Sequence, residues 1–245
     1  MSGTNLIEFY DERYAEIDAY LVFLQHLEEA ARAGVPRFKG TDAYITPTQK
    51  KILSSCLYLQ LYNLVEATVV KCLEAVVVAV ENAERRPEQL SEELRREWVR
   101  SIARTHVGDL GPQKRLEAAL ELCEQILGQT PIKDFKIEPG GGGNWDDTSI
   151  EKVCARVGCG LVVSPKVRQA VKMQVRDELG PLKLVRNRRN GLAHGSLSFV
   201  DCSDGVTVAE LKAVATAVGD YLRDTASSFV KFIELKVVNN NEVNS

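Results

Sequence analysis

The sequence predicts an all-α fold, a bundle of helices, on three observations. Apolar residues recur at alternating three- and four-residue intervals, as in Ile7, Tyr10, Tyr14, Ile17, Leu21 and Leu24, which lie along one side of a helix. Capping-box and Gly/Pro signals punctuate these runs at helix-length intervals. Strand-like alternation is confined to two short stretches, Leu161-Val162-Val163 and Leu197 to Val200, with no βα alternation.

The first helix is expected from near Asn5 to the stop at Gly34. Thr46-Pro47-Thr48-Gln49 is a capping box with proline in the first turn. The helix it opens, through about Ala83, is apolar on nearly all sides and belongs in the middle of the bundle, with Asn63 as a satisfied interior amide. Shorter inserted helices are expected from Leu90 to Arg104, capped by Ser91, and from Pro112 to Leu127. Gln129 to Asp147, with glycines at 140–143, reads as a long surface loop in which Trp145 packs or stacks on a base. Thr148-Ser149-Ile150-Glu151 is a second capping box for a helix to about Val157. Ser164-Pro165 starts a helix to Leu179, and Gly180-Pro181 breaks it and launches the next, which runs into Gly195. Thr207-Val208-Ala209-Glu210 opens a long last helix, followed by a frayed tail over 237–245. The chain is expected to form a single domain over 1–245, with 84–163 as an insertion.

Composition excludes several classes of function. The longest apolar candidate, Val69 to Val80, is interrupted by Lys71 and Glu74 and falls short of the roughly 18–20 residues of a membrane span. Met1 to Arg13 lacks the cationic start and apolar core of a secretory signal, so a cytoplasmic address is expected. Of the six cysteines only Cys154 and Cys159 lie close in sequence, with no second Cys/His pair to complete a zinc site. All six are expected to be structural, with Cys56, Cys72 and Cys123 on apolar stripes, and no metal or other cofactor is expected. A net charge of −3 argues against non-specific coating of nucleic acid. It hides a basic stretch: Lys166, Arg168, Lys172, Arg176, Lys183, Arg186, Arg188 and Arg189 against Asp177 and Glu178, dense enough for a phosphate backbone. A solvated helix face would have the same pattern.

Leu182 to Gly195 carries the chemistry: Leu-Lys-Leu-Val-Arg-Asn-Arg-Arg-Asn-Gly-Leu-Ala-His-Gly. Histidine is the side-chain type suited to moving protons in acid–base chemistry, and the motif has one in His194. Arg189 offers a fixed fork of donors suited to a phosphate or another oxyanion. Asn190 stands four residues before His194, placed to orient the ring or the phosphate. Glu66, on the apolar central helix, is a supporting acid expected to pair with Arg186 or Arg189 or to orient His194. Arg189 and His194 fall on a polar segment away from the apolar stripes. Five residues apart, they diverge by roughly 140° on a regular helix. Either Gly191 loosens the turn, or two chains line one cleft. A purely structural reading also fits, with His194 at the negative end of the helix dipole and Gly195 as the left-handed stop.

Arg189-Asn190-Gly191-Leu192-Ala193-His194 resembles the Arg-Asn-x-x-x-His signature of the HEPN superfamily. Tyr10 to Leu24, Leu61 to Glu66 and Gly195-Ser196-Leu197-Ser198-Phe199 ahead of a last helix are similar to its MAE-type, toxin-like branch, a resemblance covering most of the chain and weakest over 84–145. It implies a HEPN-like bundle and metal-independent RNA cleavage, in which the ribose 2′-OH attacks the adjacent phosphate to leave 2′,3′-cyclic phosphate and 5′-OH ends. It further implies Arg189, Asn190 and His194 as catalytic residues, with Lys183, Arg186 and Arg188 contacting RNA (tRNA or mRNA). The implied assembly is a homodimer, with an antitoxin or second defence-system protein as partner. Ser196 stands where some signatures have tyrosine, so tyrosine-dependent variants of the mechanism are not implied. The alternatives are a non-catalytic HEPN module that binds RNA or a protein, and a helical scaffold with an incidental motif.

Overall fold

The computed structural model describes residues 3–103 and 111–238. Within them the chain is all-α, with isolated bridges Arg37–Tyr44 and Arg176–Leu179 in place of any sheet. Two long helices lead: α1 (Gly3–Ala33) and α2 (Pro47–Asn82), the latter opened by the expected Thr46/Gln49 capping box. The excursion contains α3 (Glu92–Ile102), capped by Ser91, and α4 (Pro112–Gly128). Then come α5 (Asp147–Val157), α6 (Pro165–Lys172), α7 (Pro181–Ala193), the single turn α8 (Phe199–Cys202) and α9 (Val208–Phe232), which runs on as a π-helical segment Ile233–Val238. No helix among these is long and apolar enough to cross a membrane.

The central place of α2 follows from its composition. Leu57, Leu61, Val65, Val69, Leu73, Val76 and Val80 are all buried, and α1, α7, α8, α9 and the π-helical segment pack around it. Each such side chain contributes about 1.5–3 kcal/mol on leaving water. Its polar residues mostly face out: Asn63, expected inside, is exposed, and Glu66 is too. The Tyr10 hydroxyl ties α1 to α9 by donating to the Gly219 carbonyl at 2.7 Å. Cys72, Cys154, Cys159 and Cys202 are buried free thiols, whereas Cys123 is exposed and off any buried stripe. Burial pushes the Cys72 and Cys202 thiols up, so they remain small protonated core groups.

Several boundaries differ from the sequence reading. Residues 161–163 form no strand; the Val162 amide donates to the Ser228 hydroxyl at 3.0 Å instead. Residues 197–200 form no strand either, because Ser198 caps α8. The α5 cap is Asp146, two residues before the expected Thr148, and its carboxylate accepts from the Ser149 amide at 2.8 Å. The helix expected to reach Leu179 stops at Lys172, and the chain turns back with the Val175 amide on the Leu179 carbonyl at 2.9 Å. Val175 and Leu179 keep helical spacing in sequence, which hides the turn. The tail starts later than Val237, which is buried; Arg85 donates to the Val237 and Val238 carbonyls at 2.8 and 2.7 Å. Residues 239–245, Arg104 and His106 lie outside the described residues.

The loop over 129–147 departs most from expectation. Ile132, Phe135, Ile137 and Trp145 are buried and join the core, so the excursion returns as a packed strap rather than a free surface loop. Trp145 is 2% exposed and offers no face to a base.

The start of α7 is fixed by a close approach. A Cβ on Gly180 would lie 2.4 Å from the Val171 carbonyl oxygen, a backbone atom that cannot swing aside. Gly180→Ala is therefore expected to cost about 1–3 kcal/mol by overpacking. Urea denaturation should show a lower midpoint at unchanged slope.

Candidate active site

α7 buries Pro181, Leu182, Leu184, Val185 and Leu192 against the bundle. Arg189 continues the three- and four-residue spacing of Leu182, Val185 and Leu192, so it lies on an apolar stripe and points inward, contrary to its reading as a residue of the polar segment. Its guanidinium stacks on the Tyr62 ring of α2, 3.7 Å from the centroid, and the side chain is only 22% exposed. One edge is pinned. Nη2 donates to the Gly143 carbonyl at 2.6 Å and Nη1 to the Asn190 side-chain oxygen at 2.9 Å. Glu66 stands 3.7 Å from Nη2 and is half-exposed, a weak solvent-screened partner.

The strap meets this face of α7 in register. Gly143 holds Arg189; the Asn144 side-chain oxygen accepts from the Asn190 amide at 2.8 Å; and Asp146 pairs with Arg186. Arg186, Arg189 and Asn190 stand at i, i+3 and i+4, one side of the helix, which is why a short extended segment reaches all three. Tyr62 closes the arrangement from α2: its hydroxyl accepts from the Trp145 amide at 3.1 Å and donates to the Gly143 carbonyl.

The motif residues separate into a pinned group and a free one. Arg189, Asn190, Arg186 and Glu66 are together. His194, the C-cap of α7, is exposed, and no side-chain hydrogen bond or ion pair joins it to any described residue. The Asn190 amide engages Arg189 and Asn144, not the imidazole. Gly191 does not loosen the turn, because α7 is helical through Ala193. It admits Leu197 instead: a Cβ there would meet the Leu197 Cβ at 2.9 Å, and the Leu197 amide donates to the Gly191 carbonyl at 3.1 Å. Gly195, at φ +72°, is the left-handed stop.

Much of the basic stretch is paired internally. Lys172 pairs with Asp147, Arg176 with Glu210 at 3.0 Å, and Arg188 with Asp177 at 2.6 Å, in addition to Arg186 and Arg189. The Lys172 ammonium and Arg176 guanidinium pKa values are raised by these bonds, and the Arg176 bond helps to lower the Glu210 pKa against the effect of its burial. Lys183, half-buried two turns before Asn190 on the same side, has no ion pair among the described residues. No group of three or more His, Cys, Asp or Glu among them could hold a metal ion.

Tyr62, Gly143, Asn144 and Asp146 are absent from the sequence-derived site. Tyr62 alone left a signal: it stands one turn before Glu66 on a helix otherwise apolar on nearly all sides. The strap residues are some 40 positions from the motif, and no spacing rule links them to it.

Comparison with known proteins gives one family: the model for MAE_28990/-like HEPN matches residues 2–237, a span that includes 84–163. No curated protein and no solved structure matches the chain.

Asp146 both caps α5 and neutralises Arg186. Asp146→Ala is expected to lose the cap, about 1 kcal/mol, and leave a partly buried guanidinium unpaired, for a total of about 2–3 kcal/mol. Asp146→Asn retains a capping oxygen and should lose only the second part. Urea midpoints of the two variants check this ordering.

Proposed function

The chain belongs to the MAE_28990/-like HEPN family, and from that premise we propose that it is a metal-independent endoribonuclease acting through Arg189 and His194. One observation carries the reading. The Arg189 guanidinium lies over the Tyr62 ring with two of its N–H groups bonded, leaving the rest of a five-donor fork for a phosphate. Such a fork needs no reorganisation when charge develops on the phosphorane, which is the condition for electrostatic catalysis.

His194 supplies the proton chemistry in this mechanism. A neutral imidazole takes the 2′-OH proton as the oxygen attacks phosphorus; an imidazolium gives a proton to the departing 5′-oxygen. The products are a 2′,3′-cyclic phosphate and a 5′-OH. One imidazole cannot be in both states at once, and His194 diverges from Arg189 along one regular helix. Two copies related by a two-fold axis resolve both difficulties, bringing two histidines and two arginines to one cleft. RNA is the substrate, tRNA or mRNA, with Lys183 the nearest unpaired cation on the pinned side of α7. An unrestrained ribonuclease harms its own cell, so a restraining protein partner, an antitoxin or second defence protein, follows from this reading. The separation of His194 from Arg189 within one chain also suits a non-catalytic RNA- or protein-binding module, which the same experiments exclude or support.

His194→Ala is expected to lower cleavage of total cellular RNA by about 10²–10⁴-fold. Arg189→Lys, which keeps the charge but not the fork, should lower it by about 100-fold or more. Both should retain wild-type helical circular dichroism. Wild-type rates in either variant rule the site out.

Cleavage should persist in EDTA and leave ends that a polynucleotide kinase labels without prior phosphatase. Activity restored only by magnesium or manganese, or 5′-phosphate ends, contradicts the mechanism. Mixing Arg189→Ala with His194→Ala protein should regain part of the activity by subunit exchange, since each heterodimer keeps one arginine and one of the two histidines. A strict monomer that cleaves at full rate removes the dimer.

A further inference from the structure

Tyr62 is 3% exposed in the middle of a helix whose buried side is mostly aliphatic. Leucine or phenylalanine would fill the same space with no polar atom to satisfy. A buried hydroxyl costs stability unless bonded, and this one is bonded twice, in both directions: from the Trp145 amide at 3.1 Å and to the Gly143 carbonyl. The same Gly143 carbonyl accepts from Arg189 Nη2 at 2.6 Å, and the same tyrosine ring lies under the Arg189 guanidinium at 3.7 Å. One side chain thus sets two independent restraints on Arg189. The ring fixes the plane of the guanidinium by a cation–π contact. The hydroxyl fixes the position of the carbonyl that pins its edge.

We propose that Tyr62 is a positioning residue, holding Arg189 face-on by its ring and edge-on through the Gly143 carbonyl so that the remaining N–H groups meet a phosphate in a fixed orientation. The inference rests on the ribonuclease reading for what the orientation serves, but the restraint itself is independent of any activity. Glu66, one turn further along α2, approaches the same guanidinium at 3.7 Å and adds charge rather than geometry. The strap residue Asn144 plays the matching part for Asn190 at 2.8 Å.

Two substitutions separate the restraints. Tyr62→Phe keeps the ring and removes the hydroxyl; Tyr62→Leu removes both. If Arg189 acts on the transition state, its misplacement lowers kcat and kcat/KM together and leaves KM near its wild-type value. A loss of about 100-fold is expected for Tyr62→Leu, on the scale of a misplacement of about 1 Å, and a smaller loss for Tyr62→Phe. The second readout is the Arg189 guanidinium in a 15N-labelled protein, its signals identified by their disappearance in Arg189→Ala. The wild type should give an Nε–H resonance shifted upfield by the Tyr62 ring and Nη signals resolved by hindered rotation. Tyr62→Phe should keep the upfield shift, and folded Tyr62→Leu should lose it and collapse the Nη signals.

Wild-type kcat with an unchanged Arg189 spectrum in folded Tyr62→Leu overturns the proposal. So does a Tyr62→Phe protein whose Nε–H shift is lost while its urea midpoint is retained. If Tyr62→Leu does not fold, Tyr62→Phe still decides: resolved Nη signals and an unchanged kcat overturn the role of the hydroxyl. A wild-type protein that cleaves no RNA removes the ribonuclease reading alone, and the spectra still report whether Tyr62 orders Arg189.

Discussion

The buried hydroxyl of Tyr62 is the constraint on which the arrangement of the site depends. α2 is the element around which the bundle packs, and its buried side is mostly aliphatic. A phenol placed there needs both a donor and an acceptor, and no neighbouring helix supplies them. The strap does, through the Trp145 amide and the Gly143 carbonyl. The strap can approach only because Ile132, Phe135, Ile137 and Trp145 bury themselves on the same side of the bundle. Apolar burial brings the segment in, and the hydroxyl fixes where its carbonyl points. The strap, within the stretch 84–163 expected as an insertion, therefore completes the surroundings of Arg189.

The fold was legible in the sequence to the extent that local chemistry decides it. Thr46/Gln49 and Thr207/Glu210 cap their helices as their spacing requires, and Gly180-Pro181 starts α7. The misplaced boundaries are those that tertiary contacts decide. Asp146 displaces Thr148 as the cap of α5 because its carboxylate also faces Arg186. α6 ends at Lys172 because Arg176 turns to the Gly205 carbonyl and Glu210 across the fold. Of the site, the α7 residues could be read from their order, and the Glu66–Arg189 approach from the isolation of an acid on an apolar helix. Gly143, Asn144 and Asp146 could not, since their relation to Arg189, Asn190 and Arg186 is one of register between distant segments. Placing Arg189 on a polar segment away from the apolar stripes failed for a related reason. Arginine at a stripe position looks polar by type, yet its stem and stacked face fit an inward site.

The same pairing changes what the basic stretch means electrostatically. Summed along the sequence, Lys166 to Arg189 is a strongly cationic segment. In the fold, Lys172, Arg176, Arg186, Arg188 and Arg189 each face a carboxylate on another element, so much of that charge neutralises the molecule's own acids. On the ribonuclease reading, long-range attraction of RNA is then modest, in keeping with a net charge of −3. Recognition on the ribonuclease reading then rests on a few oriented donors at short range, where low exposure strengthens each bond.

That leaves an asymmetry between the two motif residues that physical chemistry can account for. Arg189 is held on a face, on an edge and beside a carboxylate. His194 sits at the exposed end of the same helix, where α7 gives way to the left-handed turn at Gly195. A group that stabilises charge gains from rigidity, because any reorganisation in the transition state subtracts from its effect. A group that carries protons must exchange them with water and change hydrogen-bond partners between steps, which burial in a bonded network would impede. If both were fixed on one regular helix five residues apart they could not face one phosphate, since the helix turns through roughly 140° between them. On the ribonuclease reading, leaving His194 at the helix end while fixing Arg189 at its side keeps the two requirements separate within a chain, and the proposed second copy would bring them together.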